Sequence, residues 1–149
     1  MLTVDIRNLT HARIGRKFVE KTVGETLQYL GIKGNIYAEV AFVGRARIRK
    51  LNRVYNKKDS VTDVLSFEAG KFVRGPKMGR HLGEIIVCPK VVKDEAGKKN
   101  IPMRSELSHV IIHGVLHLLG YEHEKSKKDA KKMHAMEEKI MALVLWPMK

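Results

Sequence analysis

Residues 113–123 read His-Gly-Val-Leu-His-Leu-Leu-Gly-Tyr-Glu-His, and this stretch decides how the rest of the chain is interpreted. His113 and His117 are four residues apart, so on a helix they lie one turn apart on the same face. Gly120 predicts the end of that helix, because glycine adopts the left-handed conformation without a steric cost. The chain can then turn back and bring His123 to the same point. Three imidazoles with an open fourth position are typical of a catalytic zinc site.

The residues before this stretch predict a buried helix with one polar stripe. The stripe recurs at spacings of three and four residues and contains Glu106, His109, His113 and His117. Apolar residues cover the other directions: Leu107, Val110, Ile111, Ile112, Val115, Leu116, Leu118 and Leu119. Burying a polar group costs free energy unless the group has a partner. A metal ion would be that partner for two of these side chains. Core histidines bonded to backbone carbonyls are the alternative. Four of the chain's seven histidines lie between positions 109 and 123, which favours the metal site.

The motif resembles two known patterns. The metzincin signature H-E-x-x-H-x-x-G-x-x-H has the same histidine spacing, but Gly114 stands where those proteases carry the general-base glutamate. The closer resemblance is to the YbeY family of bacterial rRNA-maturation endoribonucleases. Its signature, H-G-x-L-H-L-x-G-Y-[DE]-H, is met at every fixed position. Residues 51–67, ending Thr-Asp-Val-Leu-Ser-Phe, and residues 82–88 also resemble that family, in the same order along the chain.

The resemblance implies a zincin-like fold in a single domain over residues 1–149, with an edge strand beside the metal cleft. It implies a zinc-dependent endoribonuclease that cuts single-stranded RNA during maturation of the 3′ end of small-subunit rRNA and in ribosome quality control. One zinc ion per chain, or another divalent transition metal, would be held by His113, His117 and His123. The small ribosomal subunit and a ribosome-assembly GTPase are the partners that the resemblance implies.

Asn56 departs from the family pattern, which usually has an arginine at this position, facing the metal. An arginine would clamp a phosphate through two parallel hydrogen bonds, whereas asparagine carries no charge. Three explanations stay open: Arg53, Lys57 or Lys58 takes over the role, the activity is weaker, or the role is dispensable. These four residues are therefore the candidate substrate-binding residues.

No single residue stands out as the general base, which favours hydrolysis by a metal-bound water whose pKa falls toward about 7. His109 is either a base or a residue that orients a ligand. The second role is favoured because histidine ligands need oriented partners. Glu122 replaces the commoner aspartate of the family motif; it would orient His123, take part in proton transfer, or be a solvated carboxylate.

The composition is strongly basic, with 29 Lys and Arg against 16 Asp and Glu, a net charge of +13 and a pI near 10.0. Such an excess favours binding to a polyanion, most simply nucleic acid, over a surface that is basic only for solubility. Seven basic residues and no acid fall within residues 45–58: Arg45, Arg47, Arg49, Lys50, Arg53, Lys57 and Lys58.

The lone Cys88 lies in an apolar run and is predicted to be a core residue. Without a signal peptide or a membrane-length apolar run, the sequence predicts a cytoplasmic protein.

The periodicity of apolar residues predicts the element order βαβαββααα, an α/β (α+β) arrangement in which a small mixed four-stranded sheet packs with about five helices. Thr10 is predicted to cap the first helix, which would run to about Leu30, and Ser126 to cap the last.

Two rival functions remain. A zincin-type metallopeptidase or other hydrolase would explain the spacing but not Gly114. A non-catalytic ribosome-binding factor with a structural metal would explain the charge.

Overall fold

The computed structural model describes residues 1–69, 79–121 and 126–146. Within these described ranges, nine elements follow one another in the predicted order βαβαββααα. Their bounds are β1 Leu2–Asn8, α1 Arg16–Tyr29, β2 Ile36–Phe42, α2 Arg45–Asn56, β3 Val64–Glu68, β4 Arg80–Val87, α3 Pro89–Lys99, α4 Met103–Leu118 and α5 Lys127–Leu145. The prediction of an α+β fold with a four-stranded sheet and five helices is confirmed.

The four strands form one mixed sheet in the order β1-β2-β4-β3. Strands β1, β2 and β4 are parallel, and their registers bring Ile6, Val40 and Ile85 side by side. Strand β3 runs antiparallel to β4 and forms one edge of the sheet. The predicted edge strand is therefore β3, and its residue Ser66 contacts the helix that carries the histidines.

Two layers of helices bury the two faces of the sheet. Helices α1 and α4 cover the first face, where the alternating residues Ala38, Val40 and Phe42 of β2 join the main core. Helix α2 covers part of the second face around Ile48, in a smaller core that includes the fully buried Cys88. The core role predicted for this cysteine is thus confirmed. Helix α5 packs on the far side of α4 through a third apolar cluster: Ile112, Leu116, Met133, Ile140 and Val144.

The sequence predicted a capping residue for the first helix and for the last helix, and the structure confirms only the second of these. The Ser126 hydroxyl accepts a hydrogen bond from the Asp129 N–H at 3.1 Å, so the predicted cap of α5 is confirmed. The predicted cap of α1 is wrong, because Thr10 donates to the Asn8 side chain at 2.7 Å and its hydroxyl accepts from the Ala12 N–H at 3.1 Å. These bonds hold a turn, and α1 begins only at Arg16. Across the ranges described, no helix is both long and apolar enough to span a lipid bilayer.

Candidate metal centre

An open cleft of about 810 Å³ is bordered by α4, by β3 and by the segment that follows α2. Helix α4 presents His109, His113 and His117 to this cleft. The opposite side consists of polar residues from the end of α2 to the end of β3, including Asn52, Asn56, Lys58, Ser60, Thr62, Asp63, Ser66 and Glu68. The cleft therefore combines imidazoles on one wall with hydrogen-bonding groups on the other.

His113 and His117 converge as the four-residue spacing predicted. Their Nε2 atoms lie 2.9 Å apart and both side chains reach the cleft. Two nitrogens on one tetrahedral zinc, each at about 2.0–2.1 Å from it, would be separated by about 3.3 Å. The pair is thus close to the spacing that zinc requires. Gly120 follows the end of α4 with φ of 93°, so the predicted left-handed glycine is confirmed.

Glu137 of α5 holds His113 from behind, and sequence analysis did not identify it. Its Oε2 lies 2.7 Å from Nδ1 of His113. An ionised carboxylate can only accept, so His113 donates through Nδ1–H and its Nε2 keeps the lone pair that a metal requires. Glu137 is only 5% exposed and shares the buried stripe of α5 with Met133 and Ile140. The sequence signal that could have identified Glu137 is a carboxylate at a core position of an amphipathic helix.

The charge of Glu137 is stabilised by the histidines that it contacts. Burial raises its pKa, but His109 and His113 outweigh that effect and bring the pKa down to about 2. The same contact with Glu137 raises the pKa of His109, although burial acts in the opposite direction. Glu137 is therefore ionised at neutral pH and available to orient the ring of His113.

The remaining predicted residues are distributed unevenly around the cleft. Asn56 and Lys58 line it, whereas Arg53 and Lys57 are not among its lining residues. The Arg53 guanidinium instead lies 3.9 Å from the Asp59 carboxylate at the surface. Asn56 donates from Nδ2 to Oδ1 of the buried Asn52, which in turn donates to the Ser60 carbonyl oxygen. These bonds fix the side chain that stands in place of the family's arginine.

Two predicted residues, Glu122 and His123, lie outside the described residues. Within the described ranges, no group of three His, Cys, Asp or Glu side chains is arranged to hold a metal ion. The assignment of His123 as the third ligand therefore stays a prediction from its spacing.

Comparison with known proteins gives the family. Residues 5–144 match the family model described as Endoribonuclease YbeY. The chain belongs to the YbeY endoribonuclease family. Curated members include Endoribonuclease YbeY from Persephonella marina, 35% identical with 90% of this chain and 86% of the relative covered. The one from Thermodesulfovibrio yellowstonii is 39% identical, with 84% and 79% covered. The solution structure of TM1509 from Thermotoga maritima matches with a TM-score of 0.64 at 30% identity, covering 96% of this chain and 89% of that one.

Gly114 directly follows His113, and the packing of α4 accounts for glycine at this position of the chain. A Cβ added at Gly114 would lie 2.9 Å from Cγ2 of Ile85 and 3.2 Å from Oγ of Ser66. The Ser66 hydroxyl also donates to the Gly114 carbonyl oxygen at 3.3 Å. The helix therefore touches β3 and β4 at this residue, and the glutamate of a metzincin would not fit there unless α4 or Ile85 moved.

Replacement of Glu137 by glutamine is expected to weaken zinc binding by about 10–100-fold, the usual cost of losing an outer partner of a histidine ligand. Glutamine keeps the size of the side chain but removes the charge that favours the Nδ1–H form of His113. Competition between the metal-free protein and a chromophoric chelator measures the affinity. Glu138→Gln is the matched control, because that neighbouring carboxylate is 69% exposed and contacts His134 instead. Equal affinities in the two variants would contradict the role of Glu137.

Proposed function

We propose that this protein is a metal-dependent endoribonuclease that hydrolyses single-stranded RNA in the maturation of rRNA. Membership of the YbeY family supports an RNA-cleaving hydrolase. The observation that carries the proposal is the pair of Nε2 atoms of His113 and His117, 2.9 Å apart on the wall of an open, polar cleft. The family resemblance supports the 3′ end of small-subunit rRNA as the target and ribosome quality control as a further role.

Zinc is the metal that we propose, one ion per chain, held by His113, His117 and His123. The donor set fits, because neutral imidazoles suit zinc and Glu137 fixes the ring of His113 with Nε2 toward the cleft. Another divalent transition metal would accept the same nitrogens. When bound, the ion would supply an activated water and polarise a phosphoryl oxygen.

Lys58 is the residue that we propose takes over the charge missing at Asn56. Among the described residues that line the cleft, it is the one Lys or Arg, so it would face a phosphate bound opposite the histidines. Arg53 and Lys57 do not line the cleft, so they would contact only a longer stretch of substrate. A cation so placed would offset the negative charge that gathers on the phosphoryl oxygens during hydrolysis.

The basic face of α2 would attract the RNA backbone to this cleft. Arg45, Arg47 and Lys50 are exposed on α2, the helix whose last residue, Asn56, lines the cleft. Arg49 is partly neutralised by Asp59, whose carboxylate it meets at 2.9 Å. Single-stranded RNA suits this arrangement, because its exposed backbone can enter a cleft that excludes a duplex.

His109 is proposed to act on the structure of the site rather than as the general base. Its Nε2 lies 3.5 Å from Oε1 of Glu137, so the ring is engaged with the carboxylate that holds His113. Glu122 stays a candidate for orienting His123 or for proton transfer. The small ribosomal subunit and an assembly GTPase are proposed partners, and the cytoplasm the proposed location, on the family resemblance alone.

One experiment separates the three functions considered. Zinc-loaded protein is incubated with unstructured RNA, with casein, and with rRNA at increasing salt. RNA cleavage that is lost in His117→Ala supports the endoribonuclease, whereas casein cleavage would support a metallopeptidase. Salt-sensitive rRNA binding without cleavage of either substrate would leave a ribosome-binding factor and contradict the proposal.

Asn56→Arg is expected to raise the rate of RNA cleavage severalfold if the missing phosphate clamp limits activity. The new guanidinium would stand at the rim of the cleft and bind a phosphate through two hydrogen bonds. Single-turnover cleavage rates at fixed salt provide the measurement. The double variant Arg53→Asn/Asn56→Arg keeps the net charge of the parent protein. It therefore controls for a faster rate that comes only from stronger general attraction of the RNA. No gain in either variant would exclude a clamping role for position 56.

A further inference from the structure

A line of alternating basic and acidic side chains connects the protein surface with His113. It begins at Lys99, whose Nζ lies 2.9 and 3.0 Å from the two carboxylate oxygens of Glu106. Oε1 of Glu106 lies 3.8 Å from Nδ1 of His109. The other ring nitrogen of His109 lies 3.5 Å from Glu137, which meets His113 at 2.7 Å. The line passes from the end of α3 through α4 to α5 and back to α4.

Both carboxylates of this line are buried, which makes their partners energetically important. Glu106 is 3% exposed and Glu137 is 5% exposed. A buried ion that loses its partner is strongly destabilising, so each carboxylate favours a fixed position of the basic side chain beside it. The ring of His109 lies between the two carboxylates, with Nδ1 3.8 Å from Glu106 and Nε2 3.5 Å from Glu137. His109 is therefore the side chain through which a shift of Glu106 could reach Glu137.

We propose that Lys99 is a positioning residue for the metal site, acting through Glu106 and His109. By anchoring Glu106, it holds the His109 ring in the orientation that contacts Oε1 of Glu137. Oε2 of that carboxylate is then left in line with Nδ1 of His113. Lys99 itself touches no substrate and no reacting atom. This inference rests on the proposed metal site and adds a residue from a third helix to it.

The sign of the effect of Lys99→Met distinguishes positioning from simple electrostatics. Removal of a nearby positive charge should strengthen the binding of a divalent cation, because like charges repel. Loss of positioning should instead weaken zinc binding, by about fivefold. This is less than the 10–100-fold loss expected when a residue in direct contact with a ligand is replaced, because Lys99 acts only through other side chains. Zinc affinity is measured by chelator competition on the metal-free protein. Thermal unfolding in the absence of metal shows that the variant is folded.

Two variants at neighbouring charges complete the comparison. Lys98→Met removes the same charge one residue earlier, where the side chain is 74% exposed and contacts Glu95; we expect no weakening. Lys99→Arg keeps the cation and should keep the affinity. If the buried carboxylate left by Lys99→Met prevents folding, the double variant Lys99→Met/Glu106→Gln removes that carboxylate charge as well. It leaves the net charge of the parent unchanged, so weaker zinc binding in this variant would still report a loss of positioning.

A double-mutant cycle tests whether the effect passes through Glu137. In a Glu137→Gln background, Lys99→Met should cause no further loss of affinity, because the group that it positions is already changed. An equal loss in both backgrounds would overturn the proposed route. Zinc affinity of Lys99→Met that equals or exceeds that of the parent, as expected for Lys98→Met, would overturn the proposal altogether.

His113→Ala tests the metal site itself, separately from the role of Lys99. His113→Ala should lose zinc binding if the site is correct. If His113→Ala binds zinc like the parent protein, the site itself is wrong. If His113→Ala loses zinc while Lys99→Met leaves the affinity unchanged, only the role of Lys99 is disproved.

Discussion

His117→Ala is expected to lower RNA cleavage by more than about 100-fold, because even an outer partner of a metal ligand contributes 10–100-fold to affinity or activity. The substitution removes one of the two Nε2 atoms that meet on the cleft wall. His117 is only partly buried and its side chain lines open space, so alanine should leave the fold intact. Single-turnover cleavage of a labelled, unstructured RNA provides the rate, and chelator competition provides the zinc affinity.

The matched control for this prediction is His134→Ala. His134 lies on the outer face of α5, where its side chain is 67% exposed and contacts Glu138. A contaminating nuclease would copurify with both variants, whereas cleavage by this protein should survive only in His134→Ala. Cleavage by His117→Ala at the rate of the parent protein would show that the histidine pair does not carry the reaction.

The sequence was sufficient where the decisive interactions are local. The four-residue spacing of His113 and His117 predicted their convergence, because a helix brings such a pair to one face whatever surrounds it. The apolar periodicity predicted every element in order. The Ser126 cap was predicted for the same reason, since it depends on residues only three positions apart.

Features that depend on residues far apart in the chain were not predicted. Glu137 is separated from His113 by 24 residues, and only the packing of α5 on α4 brings them together. The pairing of Glu106 with Lys99 likewise depends on how α3 packs against α4. The start of α1 was misplaced because the side chains of Asn8 and Thr10 prefer each other to a helix terminus, a competition that residue type alone does not resolve.

Substitutions at Gly114 are expected to destabilise the fold. Gly114→Ala should lower the free energy of unfolding by about 1–3 kcal/mol, the usual cost of adding a methyl group to a filled core. The added Cβ would fall 2.9 Å from Ile85, so α4 would have to move away from β4. Gly114→Glu should be worse, because it adds bulk and a carboxylate at a buried position. Urea unfolding in the presence of a chelator measures the protein without the contribution of bound metal.

Gly97→Ala is the matched control, because it makes the same change in another helix without the steric conflict. Nothing lies within 4 Å of a Cβ built at Gly97 in α3. Alanine is favoured over glycine in a helix by about 0.5–1 kcal/mol, so this variant should gain stability. Opposite signs at the two positions would show that packing against the sheet, and not helix propensity, requires glycine between the histidines. A neutral Gly114→Ala would mean that α4 can move aside, and the metzincin glutamate would then no longer be excluded on steric grounds.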